Sequence, residues 1–371
     1  MPAVPVYCNL LCPTRAAALK VPRADIVLGY CGTCGFIYNL AFDPTRLRYA
    51  SDYENSLHFS PRFQAYAQAL AARLIAQYDL HGKDIIEIGC GKGDFLKLLC
   101  DLGGNRGVGF DPSYAGARND CQVEASLVFI PDVYSERYAA YRADFICCRH
   151  TLEHVQYPKE MLAQVQRAIG KRRNTVVYFE VPNALFTLRD LAIWDIIYEH
   201  CSYFSAPSLA HVFAACGFKV LELTQAFESQ FLCIEAVPGE GFEALPQLDE
   251  VEGIRCYVAA FAANFRSKVE TWKHKLEAVK TTGRRMVVWG AGSKGVTFLN
   301  TLELQDQIAY VVDINPRKQG MFVAGSGQQV VPPQFLQNYR PEIVVVMNPI
   351  YVDEIRQTLA AMKLSPEVIL S

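Results

Sequence analysis

The chain has 371 residues, 51% of them hydrophobic and 20% charged, and 36 Lys and Arg stand against 38 Asp and Glu for a net charge of −2. That length exceeds one typical core, so two or three domains are expected, and the even balance of charge gives no electrostatic case for nucleic acid. No apolar run approaches the roughly 20 residues of a membrane span and no secretory core segment follows Met1, so a cytoplasmic protein with a small-molecule partner is expected.

Residues 1–58 are irregular and proline-rich and read as a small appended module. Within them YCGTCGFIY makes a metal-knuckle turn at Cys31 and Cys34, in which the following glycine frees backbone amides for the thiolates. Zinc needs two more ligands, and Cys8 and Cys12, spaced C-x3-C, are the available pair. A structural four-cysteine site is one expectation, a knuckle held by packing alone the other. Most of the thirteen cysteines, Cys100, Cys147 and Cys148 among them, sit in apolar runs, which argues against a disulfide framework.

An alanine-rich helix is predicted over 61–78. From Lys83 strands and helices alternate: DIIEIG, GDFLKLLCDLG, GVGFDP, a segment ending in FIPD, ADFICCRH, a helix over 158–169, then TVVYFEVPN. This is the pattern of a doubly wound α/β sheet. A loop-and-helix stretch leads to a closing hairpin of FKVLEL with SQFLCIEAV, and a charged connecting helix follows over about 250–279. RRMVVWGAGSKGVTFLN, IAYVVDIN and EIVVVMNP then begin a second strand-turn-helix series. The expected domains are 1–58, 59–245, a connector over 246–282, and a Rossmann-like domain over 283–371.

DIIEIGCGKGD carries the strongest chemical signal. Its β-branched strand ends in Gly89, Gly91 and Gly93, which tolerate positive φ and let a ligand approach bare backbone. Asp111 in GFDPS follows at the interval where an acid meets a ribose, with Pro112 beside it. Glu87 before the loop and Asp94 at the helix start both repel a pyrophosphate, so a cationic ligand fits better than a dinucleotide. The pattern E-x-G-x-G-x-G resembles the first motif of class I S-adenosylmethionine-dependent methyltransferases. That resemblance implies cofactor contacts for Glu87, Gly89, Gly91, Gly93, Asp111 and Pro112, and for Asp132, which closes FIPD near the adenine. In RHTLEHV, His150 follows an apolar strand at the sheet's carboxyl edge and is expected to line the cofactor cleft, while His154 is assigned to the scaffold.

YEHCSYFS is dense in groups that move protons, and His200 is the candidate base because imidazole titrates nearest neutrality. The alternative is a histidine that ties down a loop. The chain resembles the C-methyltransferases of nucleotide-linked deoxysugars, through CGTCG, YENS, EIGCGKGD, GFDPS, RHTLEHV, YEHCSYFS and VVWGAGSKG. That family has a zinc module, a class I methyltransferase core and a Rossmann-like carboxyl-terminal domain. The resemblance implies S-adenosylmethionine and a structural zinc as cofactors and His200 as catalytic base, with Tyr198 and Glu199 orienting it or the sugar. It also implies substrate contacts for Tyr53, Asn183, Tyr203, Ser205, Gly292 and Lys294. In the family a further C-x-x-C stands upstream of the segment matching VPVYCNLL, so the zinc set is expected to be incomplete here.

The function so implied is methylation of a carbon α to the ketone, at C3, of a nucleotide-activated 4-keto-deoxysugar through an enolate. Two alternatives stay open: a methyltransferase for another small acceptor, and a nucleotide-sugar oxidoreductase or binding protein using GAGSKG. The latter loop satisfies G-x-G-x-x-G after a strand, with Asp313 at the interval of a dinucleotide site.

Overall fold

The structure, a computed structural model, describes residues 1–49, 52–114, 126–241, 249–304 and 307–371. Its central sheet has seven strands: β1 Asp84–Ile88, β2 Arg106–Phe110, β3 Leu127–Ile130, β4 Phe145–Arg149, β5 Val176–Pro182, β6 Phe218–Ala226 and β7 Phe231–Pro238. Their order is β6-β7-β5-β4-β1-β2-β3, and β7 alone runs antiparallel to both neighbours. The order reverses between β1 and β4, so the crevice beyond their carboxyl ends is a topological switch point where ligands bind.

Both faces of the sheet are covered, which is why β1 and β4 read as continuous apolar runs. Helices α1 Pro61–Tyr78 and α2 Asp94–Gly103 bury Leu74, Phe95 and Leu99 against Ile85 and Phe145. On the other face α3 Pro158–Ile169 and α4 Ala206–Ala215 bury Leu162, Val165 and Phe213 against Ile86 and Phe179. Proline at the first position starts α1 and α3 where the sequence places them, since its missing N–H is unpaired there anyway.

The connector is one long helix, α5 Asp249–Thr282, a little longer than the expected 250–279. The expected boundary at 245/246 lies outside the described residues. A second sheet follows, all parallel, from β8 Met286–Trp289, β9 Tyr310–Val312, β10 Gln329–Val331, β11 Ile343–Val346 and β12 Glu367–Leu370, in the order β10-β9-β8-β11-β12. Helix α6 Ser293–Thr301 leaves β8 and helix α7 Val352–Ala361 leaves β11.

The amino-terminal segment does not stand apart as a separate knuckle domain. The hairpin of Leu28–Tyr30 with Ile37–Asn39 takes Ser202–Tyr203 as a third strand, and Cys8, Cys12 and Ala18 pack into the core of the carboxyl-terminal domain with Val296 and Phe298. This corrects the four-cysteine set. Cys8 and Cys12 are buried, with Cys12 O accepting the Phe322 amide, whereas Cys31 is exposed and Cys34 half-buried at the hairpin turn. Among the described residues no cysteine belongs to a group of three or more metal-capable side chains. A strong chelator is therefore expected to leave the thermal melt unchanged; a drop in melting temperature reversed by zinc would show the cysteines converging in solution.

Among the described residues no helix is long and apolar enough to cross a membrane.

Candidate active site

The loop after β1 turns on three glycines in the left-handed region, Gly89 at φ 71°, Gly91 at 54° and Gly93 at 84°. A Cβ on Gly89 would lie 1.9 Å from Thr151 Oγ1, and one on Gly93 2.4 Å from the Phe129 ring, so each position also requires the absence of a side chain. Asp111 locks the loop: its Oδ2 accepts the Gly91 amide at 2.8 Å, and its Oδ1 accepts the Ser113 amide and hydroxyl at 2.7 and 2.6 Å. Asp111 stays half-buried and Pro112 exposed at the crevice. Asp132 is held by Arg137 and Tyr138.

Glu87 takes a different place from the one expected. It is 3% exposed beside the first turn of α2, where Gly93 supplies no side-chain cap; the Leu96 backbone favours its charge, and its Oε2 has no hydrogen-bond partner. Desolvation pushes its pKa up to about 8. A carboxyl group of the protein's own thus stands beside the helix terminus that would hold a pyrophosphate in a dinucleotide site, with Asp94 in the same first turn.

A cavity of about 270 Å³ opens between the carboxyl ends of the two sheets. The segment after β4 brings His150, Glu153 and His154 to it, the segment before α4 brings His200, and residues 53–60 pass along one side with Tyr53. Gly292 and Lys294 enter from the turn after β8, and Lys318 from the loop after β9. The cavity meets the glycine loop at one turn, since Thr151 packs on Gly89 while the adjacent His150 lines the cavity.

Three of these side chains form a cluster. One ligand-type atom each from Glu153, His154 and His200 lie within 4.8 Å of one another, and the two imidazoles meet edge to face with centroids 4.8 Å apart. Tyr49 Oη lies 2.8 Å from His154 Nδ1. Burial lowers the pKa of His154 to about 4 and that of His200 well below the usual range, the latter with further repulsion from His154, His150 and Lys294. Both rings are therefore neutral at physiological pH, and both accept a proton rather than supply one. Glu153, 2% exposed, has an Oε2 with no partner and a pKa pushed up to about 8 by desolvation.

These shifts act in opposite directions on stability. A carboxyl whose pKa is raised by folding stabilises the fold below its unfolded value of about 4.5, and this stability is lost as pH rises toward 8. A histidine whose pKa is lowered stabilises above about 6.5 and loses it on acidification. Between pH 6.5 and 8 only the carboxyl effect operates, so the melting temperature is expected to fall over that window. Glu153→Gln, which cannot ionise, should make the fall shallower while Glu87 and Glu199 still contribute to it; an unchanged slope would place the Glu153 carboxylate in water.

Several expected site residues serve the scaffold instead. Tyr198 is fully enclosed, its Oη accepting the Asp43 amide at 2.8 Å and donating to Asp43 O at 3.3 Å, because its ring packs among the apolar residues of the amino-terminal segment. Tyr203 donates its hydroxyl to Ile197 O at 3.1 Å, Ser205 caps α4 and donates to Gly35 O at 3.1 Å, and Asn183 caps the short helix Ala184–Leu188 and donates to Ser229 O at 3.0 Å. None of the four lines the cavity. Glu199 acts one step back: its Oε2 accepts the Cys8 amide at 3.0 Å, and its charge bears on Tyr53, which does line the cavity. The residues the sequence reading missed are Glu153, His154, Lys318 and Tyr49. The first two lay inside a quoted motif; nothing local marked the others.

Two family models match the chain, a methyltransferase domain over residues 60–223 and a C-methyltransferase C-terminal domain over 247–366. The C-methyltransferase NovU of Streptomyces niveus is 27% identical over 289 residues, covering 74% of this chain and 68% of that protein. Among solved structures, a magnesium protoporphyrin IX methyltransferase from Synechocystis overlaps at TM-score 0.37 and 16% identity, covering 48% of this chain and 84% of that one. The 1,6-didemethyltoxoflavin-N1-methyltransferase of Burkholderia thailandensis overlaps at 0.38 and 14%, covering 57% and 99%. With a methyltransferase domain followed in order by a C-methyltransferase C-terminal domain, the chain is an S-adenosylmethionine-dependent methyltransferase.

Proposed function

We propose that the acceptor is a nucleotide-activated 4-keto-deoxysugar, methylated at C3 through an enolate with His200 as the base. The observation that carries this reading is the contrast between two glycine loops. The α2 terminus has Asp94 in its first turn and the Glu87 carboxyl beside it, whereas α6 starts at Gly292 with no side-chain cap and no acid in its first turn, and both Lys294 and Lys318 line the cavity beside it. Uncapped amides with two ammonium groups suit the diphosphate of a sugar nucleotide.

The sugar then extends from the second domain toward the first, placing a ketone among His150, Glu153 and His200. A carbon α to a ketone becomes nucleophilic only once a proton leaves it, and the neutral, enclosed His200 is built to take that proton. Gly89, Gly91 and Asp111 are the residues to hold S-adenosylmethionine, which supplies the electrophilic methyl. Thr151 against Gly89 keeps the two compartments one turn apart, so the enolate and the methyl meet without a large movement.

Lys294 lies 3.0 Å from Asp195 Oδ2 and 3.2 Å from Gln230 Oε1, partners that position it without burying its charge away from the cavity. Lys294→Ala is expected to raise KM for the sugar nucleotide roughly tenfold or more with kcat little changed, in keeping with the loss of one charge-assisted hydrogen bond. The reading as a whole is tested with labelled methyl donor and a panel of 4-keto sugar nucleotides, the label located by mass and NMR. Label on oxygen or nitrogen would move the acceptor to another class. Asp313 follows GAGSKG at the interval of a dinucleotide site and its Oδ2 accepts the Ala291 amide at 2.8 Å, so calorimetry with NAD against S-adenosylhomocysteine is the parallel control. Tight NAD binding with no response to the homocysteine compound would favour an oxidoreductase.

A further inference from the structure

We propose that Gln230, presented by a left-handed turn of the methyltransferase hairpin, is a positioning residue for acceptor binding: it holds Lys294 at the switch point of the second sheet, in place for the diphosphate. This rests on the acceptor reading above and makes a residue of one domain part of the binding site of the other.

The case begins with the topology of the second sheet. All five strands run parallel, and β8 has β9 on one side and β11 on the other, so the chain order reverses between β8 and β11. The crevice beyond their carboxyl ends is a second switch point. The turn after β8 brings Lys294 to it and the end of β11 brings Asn348, and both line the cavity. Gln230 reaches the same crevice from the turn between β6 and β7, which belongs to the first sheet.

That turn is strained. Phe227, Glu228 and Ser229 stand at φ 50°, 54° and 63°, three successive left-handed residues that each carry a Cβ. Glycine would make such a turn without strain, so here the surroundings must hold it. The Phe227 ring stacks on Phe231 with centroids 5.1 Å apart, Asn183 Nδ2 donates to Ser229 O at 3.0 Å, and the Asn183 amide donates to Gln230 O at 2.9 Å. The main chain at Gln230 is thereby fixed, and its side chain leaves in a set direction.

The hydrogen bonds orient the Gln230 amide. An ammonium only donates, so the atom 3.2 Å from Lys294 Nζ is Oε1, and Nε2 is left for Asn348. Nε2 donates to Asn348 Oδ1 at 3.1 Å while Asn348 Nδ2 donates back to Oε1 at 2.9 Å, a closed amide pair between the two domains. Asn348 is itself anchored, because its Oδ1 also accepts the Ile350 amide at 3.3 Å. Gln230 is 5% exposed, and a buried amide satisfied at both ends resists displacement. Asp195 Oδ2 meets Lys294 Nζ at 3.0 Å from another side. Asp195 thus balances the ammonium charge, whereas Gln230, being neutral, sets its direction and leaves its charge for an anion.

Two substitutions test the arrangement. Gln230→Met keeps the length of the side chain and removes both polar ends; Asn348→Ser keeps a hydroxyl for the Ile350 amide and ends short of Gln230. Binding of uridine and thymidine diphosphates is measured by calorimetry, beside KM and kcat for 4-keto sugar nucleotides and the affinity for S-adenosylhomocysteine. In either variant diphosphate affinity is expected to fall about fivefold and KM to rise to match, in keeping with the loss of one hydrogen bond, while kcat and S-adenosylhomocysteine affinity stay within about twofold. In a Lys294→Ala background the same substitutions should change affinity by less than about twofold, since Gln230 acts through that ammonium. An undiminished loss there, or no loss with Lys294 in place, would overturn the proposal. A parallel fall in kcat and S-adenosylhomocysteine affinity would overturn it too and leave Gln230 a support of the fold. If the unaltered enzyme binds neither diphosphate and methylates no sugar nucleotide, the acceptor reading falls and this inference with it; if Lys294→Ala loses affinity while Gln230→Met and Asn348→Ser keep it, only this inference falls.

Discussion

His200→Ala is expected to lower kcat by roughly 100- to 10,000-fold, the usual worth of a positioned base, while the dissociation constant for S-adenosylhomocysteine stays nearly the same. The separation follows from place: His200 borders the cavity between the sheets, whereas Gly89, Gly91 and Asp111 form a loop on the other side of Thr151. A base whose pKa is depressed looks ill suited to a carbon acid, because a weaker base has less driving force. The depression belongs to the free enzyme, where an imidazolium would stand buried beside His154 and Lys294, and where burial favours the neutral form of the Glu153 carboxyl in the same cluster. As the proton moves, the acceptor develops negative charge next to the new cation, so the ion pair is assembled in the transition state and absent from the ground state. The acid limb of kcat/KM should accordingly lie below the pH of an ordinary histidine, near 6.5, and activity should persist there. A limb at or above pH 7, or a parallel loss of cofactor affinity in His200→Ala, would remove His200 from the role.

The parts of this site that were legible in the sequence are those whose meaning is local. Gly89, Gly91 and Gly93 are required by φ and by close approach, both consequences of the turn itself, and Pro61 and Pro158 mark helix starts because proline lacks the donor those positions do not use. YEHCSYFS showed where proton-moving groups concentrate, but a run of eight residues through a turn points its side chains in several directions. His200 faces the cavity while Tyr198 and Ser205 face the amino-terminal segment. The cysteine spacing suggested a zinc set because spacing carries no information on what covers a residue, and Cys8 and Cys12 are covered by a domain almost 300 residues away in the chain. Lys318 and Tyr49 reach the site through the same long-range packing.

Arg149→Met is expected to destabilise the fold by about 3–5 kcal/mol, measured by denaturant unfolding, because it leaves the Glu180 carboxylate buried without its cation. Arg149 is itself 7% exposed, bonds Glu180 through both Nε and Nη2, and lays its guanidinium over the Phe95 ring at 4.2 Å. Methionine keeps much of that packing, so the loss isolates charge from shape. The sign with pH follows from the carboxylate. In the native protein Glu180 is held ionised well below the unfolded value, which contributes stability above about pH 4.5 that is lost on acidification. Without Arg149 desolvation dominates, the carboxyl pKa rises, and the variant should recover part of its deficit as pH falls from 7 to 5. Replacing both partners, Arg149→Met with Glu180→Met, should regain most of the stability, since a buried pair is worth little over well-packed apolar side chains once neither charge is stranded.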